Sequence, residues 1–219
     1  MAARRQAAIP HLLPDRQVIE PSGPGPHPLC LVLHGNSSNP NMTVPYWRSM
    51  VERGWTLATL QSSQPDWASG TYVWNDIPKS LEETRVHTAD LLARYAVDPQ
   101  SVIAGGFSMG ATIAVRMALD PDLHLRGVIA HEAWLAAEEM ADLEQVVSSA
   151  PPTQTRVLLI AGQENAEYGA VAHQVRDLLS ARGYTCHVIY SSNPRHGYPP
   201  DFAKVLGQAV DWIMAAAQT

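Results

Sequence analysis

The sequence predicts a three-layer α/β/α sandwich on a mostly parallel sheet, and three observations predict it. Short, continuous apolar runs alternate with longer segments of helical periodicity along the whole chain. No internal repeat or low-complexity linker interrupts that alternation. Residues 102–111, Val-Ile-Ala-Gly-Gly-Phe-Ser-Met-Gly-Ala, read as a strand that turns tightly into a helix. The 219 residues are enough for one well-filled core. One domain over residues 1–219 is expected, with 1–27 as an N-terminal extension and edge region.

The elements follow in order. Residues 17–20 form a short edge strand after few periodic features, and the Pro- and Gly-rich stretch 21–26 is a connection. Residues 29–34, Leu-Cys-Leu-Val-Leu-His, have the unbroken apolar character of a strand covered on both faces. A first helix is expected over 43–53, stopped by Gly54, and a strand over 55–60. Residues 61–78 form a loop holding Trp67, Tyr72 and Trp74, which either line a substrate pocket or pack the loop onto the sheet. Ser80-Leu-Glu-Glu83 reads as a capping box, with Leu81, Ala89, Leu92 and Ala96 as the buried face and Asp98-Pro99 as the stop. Strands over 126–130, 156–162 and 186–190 alternate with helices carrying Met140, Leu143 and Val147, then Val171, Val175, Leu178 and Leu179, and finally Phe202, Val205, Leu206, Ala209 and Ile213.

Composition narrows the function classes. With 46% hydrophobic and 16% charged residues the chain is globular, and no run of about 18 apolar residues suggests a bilayer span. A net charge of −6 with no Lys/Arg cluster argues against nucleic acid as a partner. Arg4 and Arg5 are basic, but His11, Asp15 and Arg16 interrupt any secretory apolar core, so a cytoplasmic location is expected. Cys30 and Cys186 sit in apolar strand-like runs and read as free thiols. The sequence has neither H-E-x-x-H nor a G-x-G-x-x-G opening a first helix, so neither metal nor nucleotide cofactor is expected.

The chemistry centres on Gly106-Phe-Ser-Met-Gly110, which fits G-x-S-x-G, a strained turn that lifts a serine hydroxyl above the end of a parallel sheet. A hydroxyl needs a base to take its proton as it attacks. His196, in the loop between the last strand and last helix, has the best position; His34, at the end of residues 29–34, is the second candidate. Backbone N–H groups in the loop after His34 have the chemistry to stabilise a negative oxygen.

From about residue 28 to 214 the chain resembles the α/β-hydrolase superfamily. The resemblance rests on the strand ending in His34-Gly35, the elbow at 106–110, the turn near Gly162, and His196-Gly197 before the last helix. With no obvious cap insertion, it is most like the small carboxylesterase, acyl-protein thioesterase and dienelactone-hydrolase branches. The resemblance implies Ser108 as nucleophile, His196 as general base, and the N–H groups of Asn36 and Met109 as the oxyanion hole.

The acid departs from the family pattern. Those relatives carry an aspartate where Gly162-Gln-Glu-Asn165 has Asn165, and an amide there costs about ten-thousand-fold in another serine hydrolase. Glu164 is the preferred acid; Glu167 and Glu132, with Asn165 itself, are the alternatives. The expected activity is cleavage of a carboxylic ester or thioester of a small molecule through an acyl-enzyme. The competing readings are a non-hydrolytic enzyme on the same scaffold, a lyase or perhydrolase, and a ligand-binding protein that has lost its acid.

Overall fold

The computed structural model describes residues 13–151, 153–192 and 195–215, so the basic pair and His11 lie outside the described residues. Seven strands form the main sheet in the spatial order β1-β3-β2-β6-β7-β8-β9. They are β1 (Arg16–Ile19), β2 (His27–Leu33), β3 (Thr56–Leu60), β6 (Val97–Phe107), β7 (Gly127–His131), β8 (Arg156–Gly162) and β9 (Cys186–Ser191). Only β1 runs antiparallel, against β3, at the edge. A two-stranded hairpin, β4 (Gln64–Pro65) and β5 (Tyr72–Val73), lies outside the sheet. The expected three-layer fold on a mostly parallel sheet is what forms.

Alternate side chains of the central strands feed the two cores. Leu29, Leu31 and Leu33 face the layer of α3 (Ile77–Arg94), α4 (Met109–Met117), α5 (Ala137–Ser149) and α6 (Ala166–Ser180), where Leu91, Val115, Leu143 and Val175 are buried. Cys30 and Val32 face α1 (Pro40–Trp47), α2 (Ser49–Glu52) and α7 (Phe202–Met214), where Trp47, Met50, Phe202 and Leu206 are buried. Strands covered on both faces in this way must be apolar throughout. Cys30 and Cys186 are free thiols, and burial pushes the Cys186 thiol up to about 11.

Two helical expectations are corrected. The helix expected over 43–53 starts earlier and breaks. Asn39 caps it, its side chain accepting the Met42 N–H at 3.0 Å with Pro40 in the first turn, and the chain restarts after Arg48 as α2. In α3 the cap is Asp76, which accepts the Lys79 N–H at 3.0 Å, and not Ser80. Ser80 and Glu83 therefore sit inside the helix, on a buried face shared with Thr84, His87, Thr88 and Leu91, while Ala89 and Leu92 are exposed. Much of that polar face is partnered within the helix and by β1, although Nε2 of His87 is buried without a hydrogen bond. Ser80 and Thr88 donate to the carbonyls of Asp76 and Thr84 at 2.7 Å each, and Asp90 is held between Arg16 and Arg94. The helix ends at Arg94, and Asp98-Pro99 lie within β6.

Candidate active site

The site lies at the C-terminal edge of the sheet, where β2, β6, β7 and β9 deliver their following turns. Ser108 follows β6 directly with φ 54° and ψ −122°, conformational space that few residues enter. The flanking glycines make the turn sterically feasible. A Cβ on Gly106 would lie 2.5 Å from the Gly110 carbonyl group, and one on Gly110 would lie 2.3 Å from the His34 oxygen. The Ser108 N–H donates to the His131 carbonyl at 3.0 Å, tying the elbow to the neighbouring strand.

From Ser108 a chain of hydrogen bonds runs inward. Its hydroxyl donates to Nε2 of His196 at 2.8 Å, and Nδ1 of His196 donates to Glu132 Oε2 at 2.9 Å. The same carboxylate oxygen accepts the Gly197 N–H at 2.8 Å. Glu132 is fully buried, one residue past the end of β7. A carboxylate on Nδ1 fixes the tautomer whose Nε2 lone pair faces the serine, the arrangement a general base requires.

The acid preferred from the sequence is thereby corrected. Glu164 and Glu167 are exposed, and Asn165 stands at the N-cap position of α6 without a side-chain capping bond; none of the three hydrogen bonds to His196 among the described residues. Backbone geometry marks the same residue independently. Among the described residues, the non-glycine positions with positive φ are Ser37, Ser108 and Glu132, at 49°, 54° and 45°, and all three lie in turns at this one edge. Each such conformation costs on the order of 1–3 kcal/mol and persists where the surroundings enforce it.

His34 is not positioned as the base. It is fully buried, its Nδ1 donates to the Gly35 carbonyl at 2.7 Å, and its Nε2 accepts the Ser62 N–H at 3.3 Å. Desolvation lowers its pKa to about 4, so it is a neutral brace for the loop that carries Asn36. Of the two readings of the aromatic loop, packing is the one that holds for Trp74. Trp74 is buried, its indole donating to the His34 carbonyl at 3.0 Å and its backbone N–H to Met109 Sδ at 3.1 Å. Trp67 is 91% exposed, and Tyr72 belongs to the small hairpin. None of the three lines the cavity above Ser108.

That cavity measures about 390 Å³, and Asn36 and Met109 line it together with Ser108 and His196. Its aromatic walls are Trp134 and Tyr168, which the sequence reading did not single out. Tyr168 stacks on His196 with ring centroids 4.1 Å apart and planes 7° from parallel, and Phe107 stacks on it at 4.6 Å and 27°. Two six-membered rings cannot share one imidazole face at those distances, so His196 is held between them. A second cavity of about 410 Å³, bordered by Gln100, Asp120, His124 and Arg126 at the opposite end of the strands, contains no nucleophile–base pair.

A sequence model of the phospholipase/carboxylesterase family matches residues 25–166. The chain belongs to this family. It is thus a member of the carboxylesterase branch of the α/β-hydrolase superfamily, and the match covers the elbow and Glu132 but ends before His196. Solved structures agree on the fold. An uncharacterised protein from Bacillus cereus superposes with a TM-score of 0.74 at 27% identity, over 88% of this chain and 61% of its own. This carboxylesterase-family chain therefore spans about three-fifths of that protein's length. Esterase PE8 gives 0.73 at 16% identity over 90% and 98% of the two chains. Esterase 2 of Thermogutta terrifontis, phosphorylated by paraoxon, gives 0.66 at 16% over 93% and 90%. No curated protein matches the sequence. Among the described residues no helix is long and apolar enough to cross a membrane.

Proposed function

We propose that this carboxylesterase-family protein cleaves carboxylic esters or thioesters of small molecules through an acyl-enzyme formed on Ser108. The observation that carries the reading is the continuous hydrogen-bonded chain from Ser108 through His196 to the buried carboxylate of Glu132. In the first half-reaction Ser108 Oγ attacks the carbonyl carbon while His196 Nε2 takes its proton. The imidazolium so formed lies against Glu132, whose negative charge in a buried setting offsets it. The carbonyl oxygen becomes an anion and is received by the N–H groups of Met109 and Asn36. His196 then protonates the departing alcohol or thiol. In the second half-reaction it activates water to release the acid.

The reading of a binding protein that has lost its acid depended on Asn165. Glu132 removes that premise, because a carboxylate is on Nδ1 after all. The lining supports a compact, modestly apolar substrate, since Trp134, Tyr168 and Met109 form its walls and none of them carries a charge.

Paraoxon phosphorylates the Thermogutta esterase, and a fluorophosphonate tests for the same kind of activated nucleophile here. Intact-protein mass should show one adduct on the native chain and none on Ser108→Ala. A folded native chain that acquires no adduct would contradict the proposal.

A further inference from the structure

Glu132 is preceded by a histidine that takes no part in the proton path. His131 ends β7, is fully buried, and packs its ring among Phe107, Tyr198 and Phe202, with centroids 5.4, 5.2 and 4.9 Å away. Its Nε2 lies 2.9 Å from the carbonyl oxygen of Gly197. A carbonyl only accepts, so Nε2 carries the proton and donates. The N–H of that same glycine is the group that donates to Glu132 Oε2 at 2.8 Å. The two consecutive residues at the end of β7 therefore grip Gly197 from both sides, Glu132 at its N–H and His131 at its C=O.

We propose that His131 is a positioning residue for the reaction, clamping Gly197 so that the preceding residue, His196, stays in reach of both Ser108 and Glu132. The inference rests on the serine-hydrolase reading above. The need for a clamp is physical. His196 sits in a loop, and its ring must satisfy a 2.8 Å contact on one nitrogen and a 2.9 Å contact on the other at the same time. A displacement of about 1 Å in such a constellation costs on the order of a hundredfold in rate. Glu132 holds the glycine at its N–H, and a donor on the carbonyl restrains it from its other side. Burial keeps His131 neutral, with a pKa lowered to about 4, so no charge is introduced beside the imidazolium. The strand delivers both grips at once because β7 pairs with β6 at Phe107↔His131, directly beside the elbow.

The test compares His131→Met with His131→Gln. The two side chains have similar length and bulk, and only glutamine has a donor that reaches where Nε2 lies. Fluorophosphonate labelling of Ser108 and steady-state hydrolysis of a 4-nitrophenyl ester are the readouts. The expected result for His131→Met is a labelling rate and kcat reduced about tenfold or more, with KM within twofold and a cooperative urea transition that shows the variant folded at the assay conditions, the pattern of lost transition-state stabilisation. His131→Gln should recover most of the loss. Should His131→Met not fold, His131→Asn replaces it: its amide stops short of the Gly197 carbonyl, and the same loss is expected. Native-like labelling and kcat in a folded donorless variant would overturn the clamp while leaving the hydrolase reading intact. A native chain that neither labels nor turns over the ester would instead overturn the hydrolase reading and the clamp with it.

Discussion

The turns after β7 and β8 leave neighbouring strands at the same sheet edge, yet they do different work. The β7 turn is buried and strained, with Glu132 at φ 45° and its carboxylate on His196. The β8 turn is exposed at Glu164 and Glu167, and it opens α6. What α6 contributes beside His196 is the ring of Tyr168, in the first turn of the helix, stacked on the imidazole. Adjacent parallel strands are only about 4.8 Å apart, so either turn can present a carboxylate to a histidine loop above them. Charge comes from one strand end and aromatic cover from the next.

The largest effect expected from this division is on Glu132. Glu132→Ala should lower kcat/KM by about a thousandfold or more, as removal of a triad acid does elsewhere, whereas Glu164→Ala and Glu167→Ala should stay within about twofold; steady-state kinetics on one ester separates them. Next in size is acid sensitivity. His34, His87 and His131 are buried with pKa values lowered to about 4 from 6.5. The unfolded chain therefore binds more protons than the folded one between those limits. Stability is full above pH 6.5 and is lost as pH falls toward 4, by on the order of 3 kcal/mol for each histidine. Urea midpoints measured from pH 7.5 down to 4.5 should fall steadily, and a flat profile would contradict buried neutral histidines at both the β2 and β7 ends.

Smaller effects sharpen the role of the β8 side. Tyr168→Leu keeps apolar cover but loses the stacked plane, and should reduce kcat about tenfold, which is about 1.4 kcal/mol of transition-state stabilisation. Tyr168→Phe, with the ring intact, should lie within twofold of the native protein. The smallest change is expected for Asn165→Asp, which restores the carboxylate at the customary place. Because Glu132 already occupies Nδ1, kcat/KM should change less than about twofold.

Much of this was legible in sequence, and the exceptions share a cause. The strand over 156–162 was read to the residue, and α7 was evident from its apolar spacing, because continuous burial leaves an unambiguous pattern. The turn at Ser108 was legible because the glycines at 106 and 110 answer a local steric demand. The buried face of α3 was misread, since Ser80, Thr84 and Thr88 look like surface residues until their hydroxyls are seen donating to helix carbonyls. The acid was misread because counting along the chain from Gly162 ignores the spacing across the sheet. The available signal was an acid directly after a five-residue apolar strand, and it pointed to Glu132. His131 was passed over as a strand residue, since the carbonyl it grips lies 66 positions away.

The central claim is that Glu132 is the carboxylate bonded to the imidazole of His196. The measurement that tests it most directly is proton NMR of the native protein, Glu132→Gln and Glu164→Gln, following the strongly deshielded Nδ1–H resonance of His196. The account predicts that the resonance is present in the native protein, unchanged in Glu164→Gln, and lost or moved far upfield in Glu132→Gln. A resonance that survives in Glu132→Gln and disappears in Glu164→Gln would contradict it.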